Sequence, residues 1–267
     1  MDKDDSVRPI SKLPVIFMTK VLKNTKSVSE SYDLLEQLIG KHLESHTDKQ
    51  KTLEICHTGK FLLFFENLNI SQVSEKPDFI LFDGKEKIGL EHQIIVESKS
   101  KEREGFFENI FAQAETELQQ DTELPNFLAD CYIQYYVTYK LNEKEKLIEI
   151  VKTVIKEYVL NDNFIENPII ESISLQPHSQ KNINANMGAW WQKNIPKETL
   201  ENAINKKNAK VSSYRENGIQ KQWLLLVIGS SGDSSFEMDK DLKLEIETKF
   251  DKVFVLEDLR NTLYELK

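Results

Sequence analysis

The sequence predicts an α/β fold in which helices flank a mixed β-sheet, and three observations lead to this class. Apolar runs of strand length alternate along the chain with segments whose apolar residues recur at helical spacing. Residues 223–228, Trp-Leu-Leu-Leu-Val-Ile, form a continuous apolar run that is typical of a strand buried on both faces. Two further apolar runs flank the Asp83-Gly84 dipeptide, which predicts an antiparallel hairpin.

The remaining elements follow from local patterns. Ser27 and Glu30 form a capping-box pattern that begins a helix of roughly 16 residues. Apolar periodicity predicts the other helices, and β-branched or aromatic runs predict the strands. The predicted strands are 61–65, 131–139, 169–175, 223–228 and 253–256, and the predicted helices are 104–119, 144–160, 197–215 and a short one at the C-terminus. We expect loops in the polar segment before residue 61 and over residues 176–188.

The length of the chain and its lack of linkers predict its domain organisation. At 267 residues the chain suits one large domain. Residues 1–26 resemble a loose arm, and no Pro/Gly-rich linker interrupts the chain after them. We therefore expect an N-terminal arm over residues 1–26 and a single α/β domain over residues 27–267.

Composition excludes several classes of protein. Charged residues at 30% and hydrophobic residues at 39% describe a soluble globular chain. No apolar run approaches the roughly 18 residues of a membrane span, and the acidic start Met1-Asp2-Lys3-Asp4-Asp5 does not resemble a secretion signal. Cys56 and Cys131 fit neither a disulfide framework nor a metal-binding spacing, so both are expected to be small buried hydrophobes. We expect a cytoplasmic protein with no membrane partner.

The hairpin brings two carboxylates together. If residues 83–86 form the loop, only one register matches apolar residues with apolar residues. Its pairs are Leu81 with Ile88 and Phe79 with Leu90. The next pair is Asp78 with Glu91, whose Cβ atoms would lie about 5 Å apart. These carboxylates repel each other unless a cation lies between them, and a divalent metal is the natural candidate. The alternative is a surface hairpin with ordinary solvated carboxylates.

Pro77-Asp78 at the head of one strand and Glu91 in the middle of the next resemble the motif of the PD-(D/E)xK nuclease superfamily. Members share the restriction-endonuclease-like fold: a helix, a three-strand meander, a helix and a further strand. The predicted elements match that order over residues 28–140, with residues 132–138 as the further strand. The resemblance implies that Asp78 and Glu91 bind Mg²⁺ or Mn²⁺ with the backbone carbonyl of His92, and that the protein hydrolyses phosphodiester bonds. DNA is the expected nucleic-acid partner, and a homodimer is left open.

The sequence departs from the family motif at one position. Gln93 stands where the motif has lysine, two residues after Glu91. A literal Glu-x-Lys occurs at Glu97-Ser98-Lys99, but Glu97 lies six residues beyond the partner of Asp78. That separation is about 20 Å at roughly 3.3 Å per residue, too far for one metal. Glu97 and Lys99 are therefore expected at a solvated strand end, although a bulge or another register would keep them as an alternative site.

The missing cation is predicted on a helix. The helix near residue 200 has an apolar stripe, and its members are Leu200, Ile204, Val211 and Tyr214. Lys207 fills the vacant position of that stripe, and an unpaired lysine on a buried face is costly. Acidic partners such as Asp78 or Glu91 would explain it, with Lys210 as the substitute. The alternative is that Lys207 extends along the apolar face to solvent.

The same helix region carries a local positive charge. Residues 197–221 contain six basic and three acidic residues, a net charge of +3 in a chain of −9. The overall charge counts against a broad nucleic-acid surface, but a local basic segment would suit a phosphate backbone. The pattern Ile204-x-x-Lys207-x-x-Lys210 before the Trp223 strand also resembles divergent members of the superfamily. A solvated helix face is the alternative interpretation.

Several other residues have weaker interpretations. Gln93 shares the strand face of Glu91 and is expected to orient the water or a phosphate oxygen. His92 should point to the opposite face, as a packed or hydrogen-bonded histidine. Glu36, on the first helix, is an alternative ligand, since a helical glutamate completes the metal site in related folds. Trp190 and Trp191 are expected to cap a core edge, with base stacking as the alternative.

Three interpretations of function remain open from the sequence, and the third is a purely structural protein of unknown partner. The first is a metal-dependent nuclease in which Asp78 and Glu91 hold the metal, and Lys207, or Gln93 with Lys210, positions the nucleophile. The second is a catalytically inactive module on the same fold that binds nucleic acid or a protein partner. The glutamine in place of the motif lysine and the net charge of −9 both favour the second interpretation.

Overall fold

The chain divides into two units, each with its own helices and strands. A computed structural model describes residues 16–17, 20–46, 48–188, 192–239, 241–242, 244–245 and 247–267. The first unit comprises the described residues up to Ile95 together with Lys193–Ser230 and Phe236–Lys267, and the second comprises Val96–Gln192 and Ser231–Ser235. The predicted α/β class with a mixed sheet is confirmed. The single domain over residues 27–267 stays a prediction.

A seven-stranded mixed sheet forms the centre of the first unit. Across the sheet its strands are β2 (Lys20–Leu22), β14 (Thr262–Glu265), β13 (Lys252–Glu257), β10 (Lys221–Ile228), β5 (Lys87–Ile94), β4 (Phe79–Phe82) and β3 (Asn69–Val73). Strand β10 is parallel to β5 and β13, and the other neighbours are antiparallel. Two short pairs also belong to this unit, β1 (Ile16–Phe17) with β12 (Leu244–Glu245) and β9 (Lys193–Asn194) with β11 (Phe236–Glu237).

Helices cover both faces of this sheet. Helices α1 (Val28–Glu44) and α2 (Lys49–Leu62) pack on one face, and α5 (Lys197–Asn208) and α6 (Val211–Glu216) pack on the other. Strand β10 contributes alternate residues to both layers, Leu225 to the first and Leu224 to the second. The prediction of a central strand buried on both faces is therefore confirmed.

The second unit has a separate core. Helices α3 (Ser98–Gln119) and α4 (Lys144–Asn161), with a short 3₁₀ helix at Leu141–Glu143, pack against a three-stranded sheet of order β7 (Ile170–Pro177), β6 (Phe127–Ile133), β8 (Lys181–Asn186). Phe107, Val151 and Cys131 are fully buried in its core. Among the described residues, strand β6 pairs with β7 and β8, which both belong to this small sheet. The expectation that residues 132–138 supply the next strand of the hairpin's sheet is therefore wrong. The strand that adjoins β5 on the side opposite β4 is β10.

Several local predictions are confirmed. The Ser27 and Glu30 side chains form both bonds of the capping box at the start of α1. The hairpin has the predicted register, with Leu81 opposite Ile88 and Phe79 opposite Leu90, and residues 83–86 form its loop. Helix α4 and strands β7, β10 and β13 lie where the sequence places them. Cys131 is buried, whereas Cys56 is only half-buried.

Other local predictions are wrong, mostly where an apolar run or a polar pattern is compatible with more than one type of secondary structure. Residues 61–65 do not form a strand; they form the end of α2 and the turn after it. The rest of α2 lies where a loop was expected. The predicted helix 197–215 breaks into α5 and α6, and the C-terminal segment forms β14 rather than a helix. Strands β3 and β8 were not predicted, and α3 begins six residues earlier than expected, at Ser98.

Some predictions concern residues outside the described ranges. Trp190 and Trp191 lie outside them, as does most of the predicted arm. Among the described residues of that arm, Lys20–Leu22 forms the edge strand β2. Within the described residues, no helix combines the length and apolar character needed to cross a membrane.

Candidate functional site

Asp78 lies at the head of β4, where the turn from β3 holds it in place. The Ser74 amide donates to the carbonyl of Asp78 (2.9 Å), and the Ser74 hydroxyl donates to the carbonyl of Pro77 (2.6 Å). The carboxylate then accepts a hydrogen bond from the backbone amide of His92 at 2.7 Å. Asp78 is thus tied through its own side chain to strand β5, next to Glu91.

Glu91 lies in the middle of β5 and is almost fully buried, with 1% of its surface exposed. Its Oε1 accepts from the ammonium groups of Lys207 (2.7 Å) and Lys210 (3.2 Å). Its Oε2 accepts from the hydroxyl of Tyr214 at 2.7 Å. Both oxygens of this buried carboxylate are therefore held by donors from one side of the sheet, the side covered by α5 and α6.

Lys207 lies on the buried side of the helical stripe and pairs with an acidic residue. Leu200, Ile204 and Val211 of the stripe pack in the core between α5–α6 and the sheet, and Tyr214 is buried as well. The Lys207 side chain is 14% exposed, against 53% for Lys210, so only Lys210 retains substantial access to solvent. Lys207 also donates to the backbone carbonyl of His92 at 3.1 Å. The vacant position in the stripe is thus filled by a lysine that pairs with Glu91, as the sequence indicated.

The charge of Glu91 acts on the Asp78 carboxyl group. Burial raises the pKa of Asp78 to about 6, and the negative charge of Glu91 adds to the rise. The hydrogen bond from His92 and the charge of Lys207 act in the opposite direction. The Asp78 and Glu91 side chains therefore share one electrostatic environment, as expected for facing residues of the hairpin.

Three residues of the site were not assigned to it from the sequence. Tyr214 was placed in the apolar stripe, but its hydroxyl anchors Glu91, and burial followed by this hydrogen bond raises the pKa of the phenol. Glu54 on α2 carries a negative charge that also raises the pKa of Asp78, and Lys51 forms an ion pair with Glu54 at 2.8 Å. Because α2 was expected to be a loop, its periodicity gave no signal for either residue.

The candidate Glu36 is exposed on α1, and the described contacts do not connect it to Asp78 or Glu91. The acidic helical residue near the site is instead Glu54. Glu97 and Lys99, the alternative Glu-x-Lys pair, lie at the start of α3 in the second unit. The Glu97 carboxylate caps that helix by accepting from the amides of Lys99 and Ser100, so the expected strand end is a helix N-terminus.

His92 points away from Glu91, as predicted for the next residue along a strand. Its Nε2 lies 3.1 Å from Nδ1 of His57, and the two buried rings stack with centroids 5.3 Å apart. Burial lowers the pKa of His92 to about 3, and the neighbouring His57 adds to this effect. His57 in turn lies with its Nε2 3.9 Å from Asp258. His92 is therefore a neutral packed side chain whose backbone, rather than its ring, faces the site.

Gln93 shares the face of Glu91 because it lies two residues further along β5. Its Oε1 is buried and has no hydrogen-bond partner among the described residues. A buried amide oxygen without a partner is costly unless another donor, such as water, reaches it.

The oxygen atoms at the site suit a hard divalent cation. Asp78, Glu91 and the His92 carbonyl are oxygen donors, and Mg²⁺ commonly takes one or two carboxylates and completes its shell with water. Within the described ranges no group of three or more His, Cys, Asp or Glu side chains is arranged to hold a metal, so a site here would rest on two carboxylates. Lys207 already contacts two of the three donors. A metal would therefore compete with this ammonium for Glu91 and the His92 carbonyl.

Comparisons with known proteins add no assignment. Neither protein-family models, nor curated proteins, nor solved structures give a match to this chain.

Proposed function

We propose that the chain is a metal-dependent nuclease that hydrolyses phosphodiester bonds, with DNA as its expected substrate. The observation that carries the proposal is the pair of carboxylates at the hairpin, Asp78 and Glu91, with Lys207 and Lys210 bound to Glu91. This set combines oxygen ligands with cations at one point of a sheet. Such a combination is the requirement for activating water against a phosphate ester.

The order of elements supports a restriction-endonuclease-like core as part of the proposal. Helix α2, the antiparallel meander β3–β4–β5, helix α5 and strand β10 follow the family order of helix, three strands, helix and further strand. Strand β10 pairs in parallel with β5, the strand that carries Glu91. Val96–Gln192, the larger part of the second unit, is then an insertion in the chain between β5 and α5. Lys207 lies on the helix that precedes the last core strand.

Each residue of the site has a separate task in this mechanism. A metal held by Asp78, Glu91 and the His92 carbonyl would lower the pKa of a bound water and neutralise charge on the phosphate. Gln93 accepts a hydrogen bond from the attacking water through its unpartnered Oε1. Lys207 supplies positive charge beside both carboxylates. Lys210, more than half exposed, reaches toward the non-bridging oxygens of the substrate.

The test is cleavage of plasmid DNA, single-stranded DNA and RNA in Mg²⁺ or Mn²⁺, with EDTA as the metal-free control. We expect cleavage that is lost in EDTA and in both Asp78→Asn and Glu91→Gln. Glu36→Gln is the matched control, because it neutralises an exposed helical carboxylate away from these contacts. Cleavage that persists in folded Asp78→Asn, or a folded wild-type protein that cleaves none of the substrates, would refute the proposal.

A second candidate, a catalytically inactive module that binds nucleic acid, is favoured by one specific observation. Both oxygens of Glu91 already have donors, and Lys207 spans Glu91 and the His92 carbonyl. An ammonium in that position substitutes for a metal rather than assisting one. Thermal unfolding with added Mg²⁺ or Mn²⁺ separates the two candidates, because only the nuclease should show a metal-induced rise in Tm that Asp78→Asn abolishes.

A further inference from the structure

A cavity of about 800 Å³ lies in the first unit, away from the candidate site. Its walls come from strand β2, the start of α1, the end of α2 and the turn between β13 and β14, and they include neither Asp78 nor Glu91. A volume of this size falls within the range of small-molecule sites, which lies at about 300–1,000 Å³. The cavity is therefore large enough for a ligand and separate from the carboxylate pair.

The apolar side chains around this cavity are unusually accessible. Val21, Val28, Tyr32 and Leu259 line it and all remain exposed, with Tyr32 at 70% and Val28 at 75%. Exposed apolar residues that gather around one concavity mark a binding site more often than scattered ones do. The Tyr32 ring offers a flat face on which a planar group would stack.

The charged residues of the cavity favour an anion. Four cations line it, Lys23, Lys26, Lys60 and Arg260, against the two anions Glu257 and Asp258. Both anions already have partners: Glu257 is buried and accepts from the Met238 amide and the Tyr264 hydroxyl, and Asp258 pairs with Lys60. Lys23 has no hydrogen bond or ion pair to any residue that the structure describes. Lys60 and Arg260 are likewise paired, with Asp258 and Glu237, and Lys26 donates one hydrogen bond to the carbonyl of Leu63. Lys23 and Lys26 are therefore the lining cations that form no ion pair with the described residues, in a chain whose net charge is −9.

Polar uncharged groups complete the lining. Asn24, Ser31 and Thr262 add amide and hydroxyl groups to the lining. An acyl chain would need an unbroken apolar tunnel, whereas a base with a sugar and a phosphate needs a stacking surface, hydrogen-bonding groups and cations in turn. The chemistry of the wall therefore matches a nucleotide better than a fatty acid.

We propose that this cavity binds a nucleotide, with its base on Tyr32 and its phosphate on Lys23 and Lys26. The same chemistry is offered by a free mononucleotide and by the 5′-phosphorylated end of a nucleic acid. This inference does not depend on the proposed nuclease, since none of its residues belongs to the carboxylate site.

The test measures binding to the full chain by isothermal titration calorimetry, with EDTA present so that metal-dependent binding at Asp78 and Glu91 does not contribute. The probes are AMP, GMP, CMP and UMP, their unphosphorylated nucleosides, and a 5′-phosphorylated oligonucleotide beside its 5′-hydroxyl form. We expect at least one phosphorylated probe to bind, and its unphosphorylated counterpart to bind at least about tenfold more weakly. Mononucleotide binding identifies a free nucleotide as ligand, and binding of the phosphorylated oligonucleotide alone identifies a nucleic-acid end.

The variants Tyr32→Ala and Lys23→Glu should each weaken binding by about tenfold. Both residues are exposed, so neither change should impair folding. Tyr136→Ala and Lys146→Glu are the matched controls, because they change an exposed tyrosine and an exposed lysine of the second unit. If no phosphorylated probe binds at millimolar concentration, or if the cavity variants bind as tightly as the controls, the proposal is overturned.

Discussion

At the scale of single residues, the two lysines on Glu91 offer a direct comparison of buried and exposed ion pairs. Lys207→Met removes a nearly buried ammonium and leaves the Glu91 carboxylate without its closest cation. We expect the free energy of unfolding at pH 7 to fall by about 3 kcal/mol. Lys210→Met removes a side chain that is 53% exposed, and its effect should stay below about 1 kcal/mol. Urea denaturation of the two variants measures the difference, and equal losses would contradict the assigned burial.

The raised pKa of Asp78 predicts a pH dependence of stability. Because the pKa in the folded protein, about 6, lies above the ordinary value of 3.8, the folded chain holds this proton more tightly than the unfolded chain. The free energy of unfolding should therefore decrease as the pH rises from 3.8 to about 6. The contribution of Asp78 is about 2 kcal/mol once its partial exposure is allowed for.

Asp78→Asn isolates this contribution, because asparagine has nearly the same shape and no titrating proton. The difference in stability between wild type and Asp78→Asn should grow in favour of the variant across that pH interval and stay constant above it. Chemical denaturation at several pH values, without divalent metal, provides the curve. A constant difference across the interval would show that Asp78 titrates normally.

At the scale of elements, the parallel contact of β5 with β10 depends on a missing side chain. Gly89 is paired with Gln222, and a Cβ atom at Gly89 would lie 2.3 Å from Oε1 of Gln222. Gln222 is fully buried and donates to the carbonyl of Ile219 at 2.7 Å, so it cannot easily move away. Gly89→Ala should lower the free energy of unfolding by about 1–3 kcal/mol.

Two further variants test this explanation. In the double variant Gly89→Ala/Gln222→Ala the loss should be smaller than the sum of the two single losses, because the second change removes the obstructing amide. Gly105→Ala is the matched control, since that glycine lies in α3 with nothing within 4 Å of the added carbon. It should be neutral or slightly stabilising. Additive losses in the double variant would argue against the close contact as the cause.

The elements also show which features of the site a sequence can reveal. The hairpin register was predictable because only one alignment matches apolar pairs, and Lys207 was predictable because it interrupts an apolar stripe. The hydroxyl of Tyr214 leaves no such trace, since a tyrosine in a stripe is ordinary core. Glu54 and Lys51 on α2 were not assigned to the site, because the apolar run at the end of this helix is equally typical of a buried strand.

The missed strands have a related cause. Strand β3 is an edge strand, Asn-Ile-Ser-Gln-Val, in which only Ile70 is buried. Strand β8 lies at the edge of the small sheet and contains three asparagines among its six residues. Short edge strands bury one face weakly, so their amino acids resemble those of loops. Their pairing is decided by the neighbouring strand rather than by their own composition.

At the scale of the whole molecule, the two units have separate hydrophobic cores, and their stabilities should differ under mutation. Val151 is fully buried in the core of the second unit. Val151→Ala should destabilise that unit by about 2 kcal/mol. Hydrogen exchange should then accelerate in α3, α4 and β6–β8, with little change in β10 and β13. Uniform acceleration in all of these elements would indicate that the chain unfolds as one cooperative body.

The position of the Lys207 ammonium between Glu91 and the His92 carbonyl has a consequence for the order of folding and ion binding. A chain that brings its own counter-ion to a buried acid can complete folding in a chelating buffer, before any divalent ion is encountered. A divalent ion would then bind reversibly after folding, and it would displace the ammonium of Lys207. Under the proposed nuclease function, the folded protein would stay inactive until a divalent ion binds.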